Sequence, residues 1–247
     1  MSTSQDPTDH KSDARRALIV GCRYMGEFVL PRLREAGFDV SWTSRDAARR
    51  EELASRGVDA VPLDLDTDGE VSFGDRAFDA VIYGVTAGRS GDKEVAFAQG
   101  PLRVASALPS ETRFVLLSST GVYHQRDGSE VDENSPALSE ERSHLAIRRG
   151  EQGLLEATKR GEIDGVVVRL GGLYGPGRSP VEWLQRPTFR ERLRASALGW
   201  MNWIHAEDAA TAISQTIDSD LSGEIVLACD GKPVLRRDFY TFAAELA

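Results

Sequence analysis

Gly21-Cys-Arg-Tyr-Met-Gly26 carries the first chemistry legible in this chain. In a G-x-G-x-x-G turn the first glycine makes the bend and the second lets backbone approach a pyrophosphate. The third lets a helix pack on the preceding strand, and the free N–H groups of that helix face the anion. Gly21 and Gly26 keep the outer roles, whereas Arg23 brings a long cation to the middle position, beside Tyr24 and Met25. The pattern predicts a nucleotide cofactor held by a modified loop. About 20 residues after the first glycine, an NAD-preferring site carries an acid for the ribose 2′-OH. Here that stretch ends Thr43-Ser44-Arg45, with no carboxylate until Asp46. Hydroxyls and a guanidinium suit a 2′-phosphate, which Arg grips through paired N–H donors. The reading is NADP, with NAD possible through Asp46 and a solvated loop role open to Arg45.

These residues need a rigid frame, and the apolar patterning predicts one. Short Val/Ile/Leu-rich runs at 17–20, 40–43, 60–63, 80–83, 114–118 and 165–169 alternate with helical patterns at 25–36, 47–56, 95–108 and 140–159. Near-continuous apolar runs are what parallel strands buried on both faces show, and their alternation with helices predicts an α/β, Rossmann-like, doubly wound parallel sheet. Pro31 lies inside the first helix and predicts a kink or a lost hydrogen bond there. Residues 1–16 read as a disordered tail, 17–170 as the cofactor-binding core, and 171–247 as a small substrate-facing lobe of the same globular unit. Ligands in such sheets lie outside the carboxyl ends of the strands. That expectation puts Gly84-Val85-Thr86, Ser118-Ser-Thr-Gly121 and Gly171-Gly172 on one rim.

The 247 residues carry 30 Lys and Arg against 39 Asp and Glu, a net charge of −9 that argues against nucleic acid or an anionic membrane surface as partner. No apolar run approaches the roughly 20 residues that span a bilayer. The polar N-terminus lacks a signal-peptide core, so a cytoplasmic protein is expected. Two cysteines, Cys22 and Cys229, make neither a disulfide framework nor a metal site. The expected partner is a small-molecule substrate, with a homodimer possible.

Four segments together resemble the short-chain dehydrogenase/reductase superfamily, in its extended NAD-dependent epimerase/dehydratase branch and most closely its shortened, atypical members. They are the glycine turn, Leu117-Ser-Ser-Thr-Gly-Val-Tyr123, Arg169-Leu-Gly-Gly-Leu-Tyr-Gly-Pro-Gly-Arg178 and Asn202-Trp-Ile-His-Ala-Glu-Asp208. The resemblance implies a bound NAD(P), a Rossmann fold, and Ser119 beside the reacting group. It also implies a Tyr-x-x-x-Lys pair on the next long helix, but matching that helix through Glu151-Gln-Gly-Leu-Leu155 puts Ser143 and Ile147 in those positions. One residue on, His144 and Arg148 share a helix face. An imidazole can exchange protons near neutral pH and a guanidinium can hold ribose or phosphate, so they are candidate substitutes. An ordinary polar helix face, with Arg148 paired to Glu151, is the other reading.

Tyr123 is a further candidate proton donor, or packs below the site with its hydroxyl satisfied. The resemblance sets Asp64 and Leu65 against the adenine, while Gly84, Val85 and Thr86 would line the cofactor and Gly171 would let the nicotinamide approach. His205 and Asp208 read as a helix start rather than a dyad or metal site. Arg178 and Arg186 would take an anionic group or face solvent. The leading expectation is an atypical NAD(P)-dependent reductase or epimerase/dehydratase acting on a small carbonyl, hydroxyl or sugar-type compound. The alternative is a non-catalytic NADP(H) sensor.

Overall fold

A computed structural model describes residues 14–88, 91–125, 127–185 and 199–246. Strands β1 (Arg16–Gly21), β2 (Asp39–Thr43), β3 (Asp59–Val61), β4 (Ala80–Gly84), β5 (Arg113–Ser119) and β6 (Asp164–Leu170) form the expected parallel sheet. A seventh strand, Ile225–Ala228, pairs parallel to β6, and the order across the sheet is 3-2-1-4-5-6 followed by that strand. The chain winds outward from β1 in one direction and then from β4 in the other. The adjacent carboxyl ends of β1 and β4 are therefore the topological switch point, where such sheets bind ligands.

Alternate strand residues feed two apolar layers. Ala17 and Ile19 face helix α1 (Met25–Glu35) and the helix at Ala206–Ile217, packing with Val29, Leu33, Trp42 and Ile213. Leu18 and Val20 join Tyr83, Phe114, Val104 and Leu154 on the opposite face, under α3 (Gly100–Ala105) and α4 (Arg142–Lys159). Helix α2 (Ala47–Ser55) follows β2 at the sheet edge. Helix α1 runs through Pro31 and stops at Gly37, whose φ of +82° lets the N–H groups of Gly37 and Phe38 turn back on Arg34 and Leu33.

Several elements differ from the sequence expectation. Strand β1 starts at Arg16, inside the stretch read as tail. Strand β3 stops at Val61 because Pro62 cannot donate to the ladder. The expected helix 95–108 opens as a π-helical turn, Val95–Gln99, before α3. Pro101 lacks an N–H, and the Ala96 carbonyl instead accepts from the Tyr83 hydroxyl at 2.7 Å. Beyond Gly171 the chain adds β7 (Gly172–Tyr174), α5 (Pro180–Leu184), β8 (Trp200–Met201) and β9 (Trp203–His205). It continues with α6 (Ala206–Ile217), β10 (Ile225–Ala228), β11 (Val234–Leu235) and α7 (Arg236–Glu245). Strand β7 pairs with β9 and β8 with β11, so the lobe is two small ribbons beside the main sheet, to which it also returns β10. No described helix is long and apolar enough to cross a membrane.

Candidate cofactor and catalytic site

The turn after β1 is locked from three sides. Gly21 has φ +69°, and a Cβ there would fall 2.8 Å from the Val85 backbone. Its N–H donates to Thr43 Oγ1 at 3.2 Å, and its carbonyl accepts from Trp42 Nε1 at 2.7 Å. A Cβ on Gly26 would lie 2.1 Å from the same indole, so this glycine is what lets α1 sit against β2. Cys22 takes a left-handed φ of +53° in the position between them, its thiol buried against Gly84. Burial pushes that thiol far above its usual range and keeps it neutral. The N–H groups of Arg23, Tyr24 and Met25 find no acceptor among the described residues. Exposed donors at a helix start, over a glycine turn, fit the pyrophosphate of a dinucleotide.

A cleft of about 370 Å³ opens from this turn toward the end of β2. Gly21, Arg23, Ser44, Arg45, Asp64, Leu65, Val85 and Thr86, all expected from sequence, line it. Thr43 and Asp46, both weighed at the end of β2, line it too, and Trp42, Arg49 and Asp66 join them without having been anticipated as cofactor residues. Arg45 pairs with Asp66, both largely exposed, and Arg50 donates to the carbonyls of Ser44 and Arg45 at 3.0 and 2.9 Å. Asp46 caps α2 by accepting from Ala48 N–H at 3.0 Å. Asp64 accepts from Asp66 N–H at 3.0 Å.

At the end of β5, Ser119 Oγ accepts from Gly121 N–H at 3.1 Å, which leaves the hydroxyl proton free to donate. His144 reaches the same spot from α4. A Cβ on Gly121 would meet His144 Nε2 at 2.7 Å and Ser119 Oγ at 3.3 Å, so the two groups close over one glycine. On its other side the imidazole Nδ1 lies 2.7 Å from Ser139 Oγ and 3.7 Å from a Glu141 oxygen. Arg148, one turn along α4, is half-buried and makes no hydrogen bond or ion pair with any described residue.

Behind this rim lies a network the sequence did not reveal. Arg169 on β6 makes a two-pronged pair with Glu151 on α4, at 2.9 and 2.7 Å, both side chains almost wholly buried. Ser118 donates to the same carboxylate. Arg169 also donates to the Tyr123 hydroxyl at 2.8 Å, and that hydroxyl donates to the Asp132 carbonyl, again at 2.8 Å. Burial raises the Tyr123 pKa, with Arg169 only partly offsetting it. Glu151 thus turns inward to Arg169 rather than pairing along the helix with Arg148.

The model of the NAD dependent epimerase/dehydratase family matches residues 17–229. The chain belongs to that family. No curated relative matches the sequence. Among solved structures, a dTDP-glucose 4,6-dehydratase from Streptomyces venezuelae with NAD bound is similar at TM-score 0.75 and 18% identity, covering 93% of this chain and 80% of the other. UDP-glucose 4-epimerase from Thermus thermophilus, in complex with NAD, gives 0.72 and 18%, covering 93% and 82%. A conserved protein of unknown function from Silicibacter pomeroyi gives 0.71 and 24%, covering 94% and 78%. At these identities the likeness establishes the fold.

Within this epimerase/dehydratase frame, the remaining sequence candidates lie outside the cleft. Met25 is buried in the core, and Gly84 gives room to the Cys22 thiol. Gly171 gives room to the backbone of Asn202, since a Cβ there would sit 2.9 Å from its carbonyl oxygen. Tyr24 points away from the cleft toward Phe28, Arg178 and Gly175. His205 accepts from Glu207 N–H at 3.3 Å as the cap of α6, with Glu207 and Asp208 in its first turn. No cluster of three metal-ligating side chains occurs among the described residues. Arg186 lies outside them.

Proposed function

We propose that this protein is an NADP-preferring oxidoreductase or epimerase/dehydratase-like enzyme for a small carbonyl, hydroxyl or sugar-type compound. In this reading His144 replaces the tyrosine that the family resemblance leads one to look for. The observation that carries it is the convergence of His144 Nε2 and Ser119 Oγ over Gly121, on the rim that also holds the glycine turn. Helix α4 contains no tyrosine. A nicotinamide cofactor held over the glycine turn would supply or take up a hydride, and a proton would have to move with it at the substrate oxygen. Ser119 orients that oxygen with its free O–H. His144 exchanges the proton at Nε2 while Ser139 fixes the ring through Nδ1. Tyr123 is left out, because its hydroxyl is already donated to Asp132 and its lone pair is taken by Arg169. Arg148 is the uncommitted cation suited to ribose or phosphate.

The NADP preference draws support from two residues. Asp46, the first acid after the end of β2, uses one carboxylate oxygen to cap α2, which weakens its claim on a ribose hydroxyl. Arg45 is held only by an exposed pair, and such pairs are worth about 0–1 kcal/mol, so a 2′-phosphate can displace Asp66. The test is NADPH consumption against a panel of small aldehydes, ketones and keto-sugars. Ser119→Ala and His144→Gln should each lower turnover by about 10²–10⁴-fold, as loss of proton transfer does, while NADPH affinity holds. Unchanged turnover in His144→Gln would remove it from the mechanism. NADPH binding with no turnover of any carbonyl compound would leave the sensor.

A further inference from the structure

Beyond the adenosine cleft, we infer that Tyr24, Arg178 and His205 form an oxyanion site, taking a phosphate or carboxylate group on the far side of the glycine turn. None of the three lines the cleft described above. The Tyr24 hydroxyl is buried and has no hydrogen-bond partner among the described residues. A buried polar group left unsatisfied in a folded protein points to a partner that arrives from outside. Burial raises the Tyr24 pKa, with Arg178 opposing, so the group stays an O–H donor.

The Arg178 guanidinium stands 5.1 Å from the Tyr24 ring centroid, and no carboxylate among the described residues pairs with it. That is notable in a chain whose acids outnumber its bases 39 to 30. His205 Nδ1 accepts from Glu207 N–H, so the neutral ring carries its proton on Nε2. That nitrogen and the Tyr24 oxygen both lie close beside Gly175. A Cβ on Gly175 would lie 3.1 Å from His205 Nε2 and 3.2 Å from the Tyr24 oxygen, and its φ of +144° is one that side chains rarely adopt. The Tyr24 O–H and the His205 N–H thus converge beside a guanidinium, and an oxyanion can accept from all three. Such a donor set selects an oxyanion.

Two sources can supply that oxyanion: an acidic group on the substrate, or a phosphate of the cofactor itself. The first deepens the function proposed above and rests on it, whereas the donor geometry does not. Inorganic phosphate is the probe, titrated against the full chain by calorimetry, with Arg178→Gln and Tyr24→Phe as variants. Phosphate affinity should fall roughly tenfold or more in Arg178→Gln, the loss expected of a charge-assisted contact, and several-fold in Tyr24→Phe. In the absence of phosphate, Tyr24→Phe should unfold at a higher temperature than the natural protein, since it removes an unsatisfied buried oxygen. Phosphate binding that survives saturating NADPH assigns the site to a substrate group, and competition assigns it to the cofactor. Phosphate binding that is absent, or equal in all three proteins, would overturn the site. Phosphate binding sensitive to Arg178 in a protein that ignores NADPH would keep the site and sink the cofactor reading.

Discussion

Arg23 occupies the position where a glycine would let backbone meet a pyrophosphate, yet the turn around it keeps its donors. The side chain is exposed and unpartnered among the described residues, and lines the cleft rather than filling the turn. It can therefore add a cation to the phosphate site without displacing the N–H groups. Arg23→Gly should weaken NADPH binding by about three- to tenfold, in the range of one partly exposed charge-assisted contact. Tighter binding in a calorimetric titration would mark Arg23 as an obstruction instead. At this scale the sequence was readable where local chemistry decides: that Gly21, Ser44 and Arg45 line one cleft followed from the turn and the end of its neighbouring strand. It was unreadable where partners are distant. Glu151 and Arg169 are 18 residues apart and meet only because α4 packs across β5 and β6. The cap that Asp46 makes to Ala48 was likewise not readable from the strand end.

Helix α4 carries His144 toward the rim, and its seating depends on the buried Glu151–Arg169 pair. Burial alone would lower the Arg169 pKa, but its hydrogen bonds to the Glu151 carboxylate and the attraction of that charge outweigh it, and the guanidinium is held fully charged. Removing one partner of such a pair typically costs about 3–5 kcal/mol, because the other charge is left buried and uncompensated. Glu151→Gln should lose stability on that scale in a denaturant titration, and Glu151→Gln with Arg169→Met should recover part of it. A loss below about 0.5 kcal/mol, typical of a surface substitution, would show that the network does not seat the helix.

Helices α1 and α2 are joined differently, by Glu27 between Arg49 and Arg56 at the surface. Burial pushes the Glu27 carboxyl up, and the hydrogen bonds from Arg56 and Arg49 more than reverse this, holding it below its usual range. The unfolded chain therefore binds that proton first as pH falls. The contribution is full above about pH 4.3, the ordinary Glu value, and is lost as pH drops through the folded value. Glu27→Gln should flatten this acid limb in a pH series of thermal unfolding, and an unchanged limb would contradict the clamp. Element order was legible because apolar runs and helical patterns alternate cleanly through residue 170. Two of the misjudged ends trace to prolines at 62 and 101. Strand β10 has an apolar run, Ile225–Ala228, but it was passed over among short lobe segments.

Across the whole molecule, two apolar layers fix a sheet whose carboxyl edge carries the glycine turn, the cleft and the Ser119–His144 rim. The cleft opens beyond β2, the glycine turn lies at β1, Thr86 after β4, and Ser119 with His144 at β5. Binding to the folded state alone stabilises it, by about 2.7 kcal/mol at a ligand concentration 100 times Kd. A cofactor spanning that edge should therefore raise the unfolding temperature. The fold made this edge predictable from sequence, since parallel strands must all end on one side. The lobe over it was not, because its ribbons are two or three residues long and depend on contacts with the main sheet. The most direct test is a calorimetric titration of the full chain with NADPH and, separately, NADH. NADPH should bind at least about tenfold more tightly, the worth of one charge-assisted contact between Arg45 and the 2′-phosphate. Binding of neither, or NADH bound as tightly as NADPH, would contradict the account.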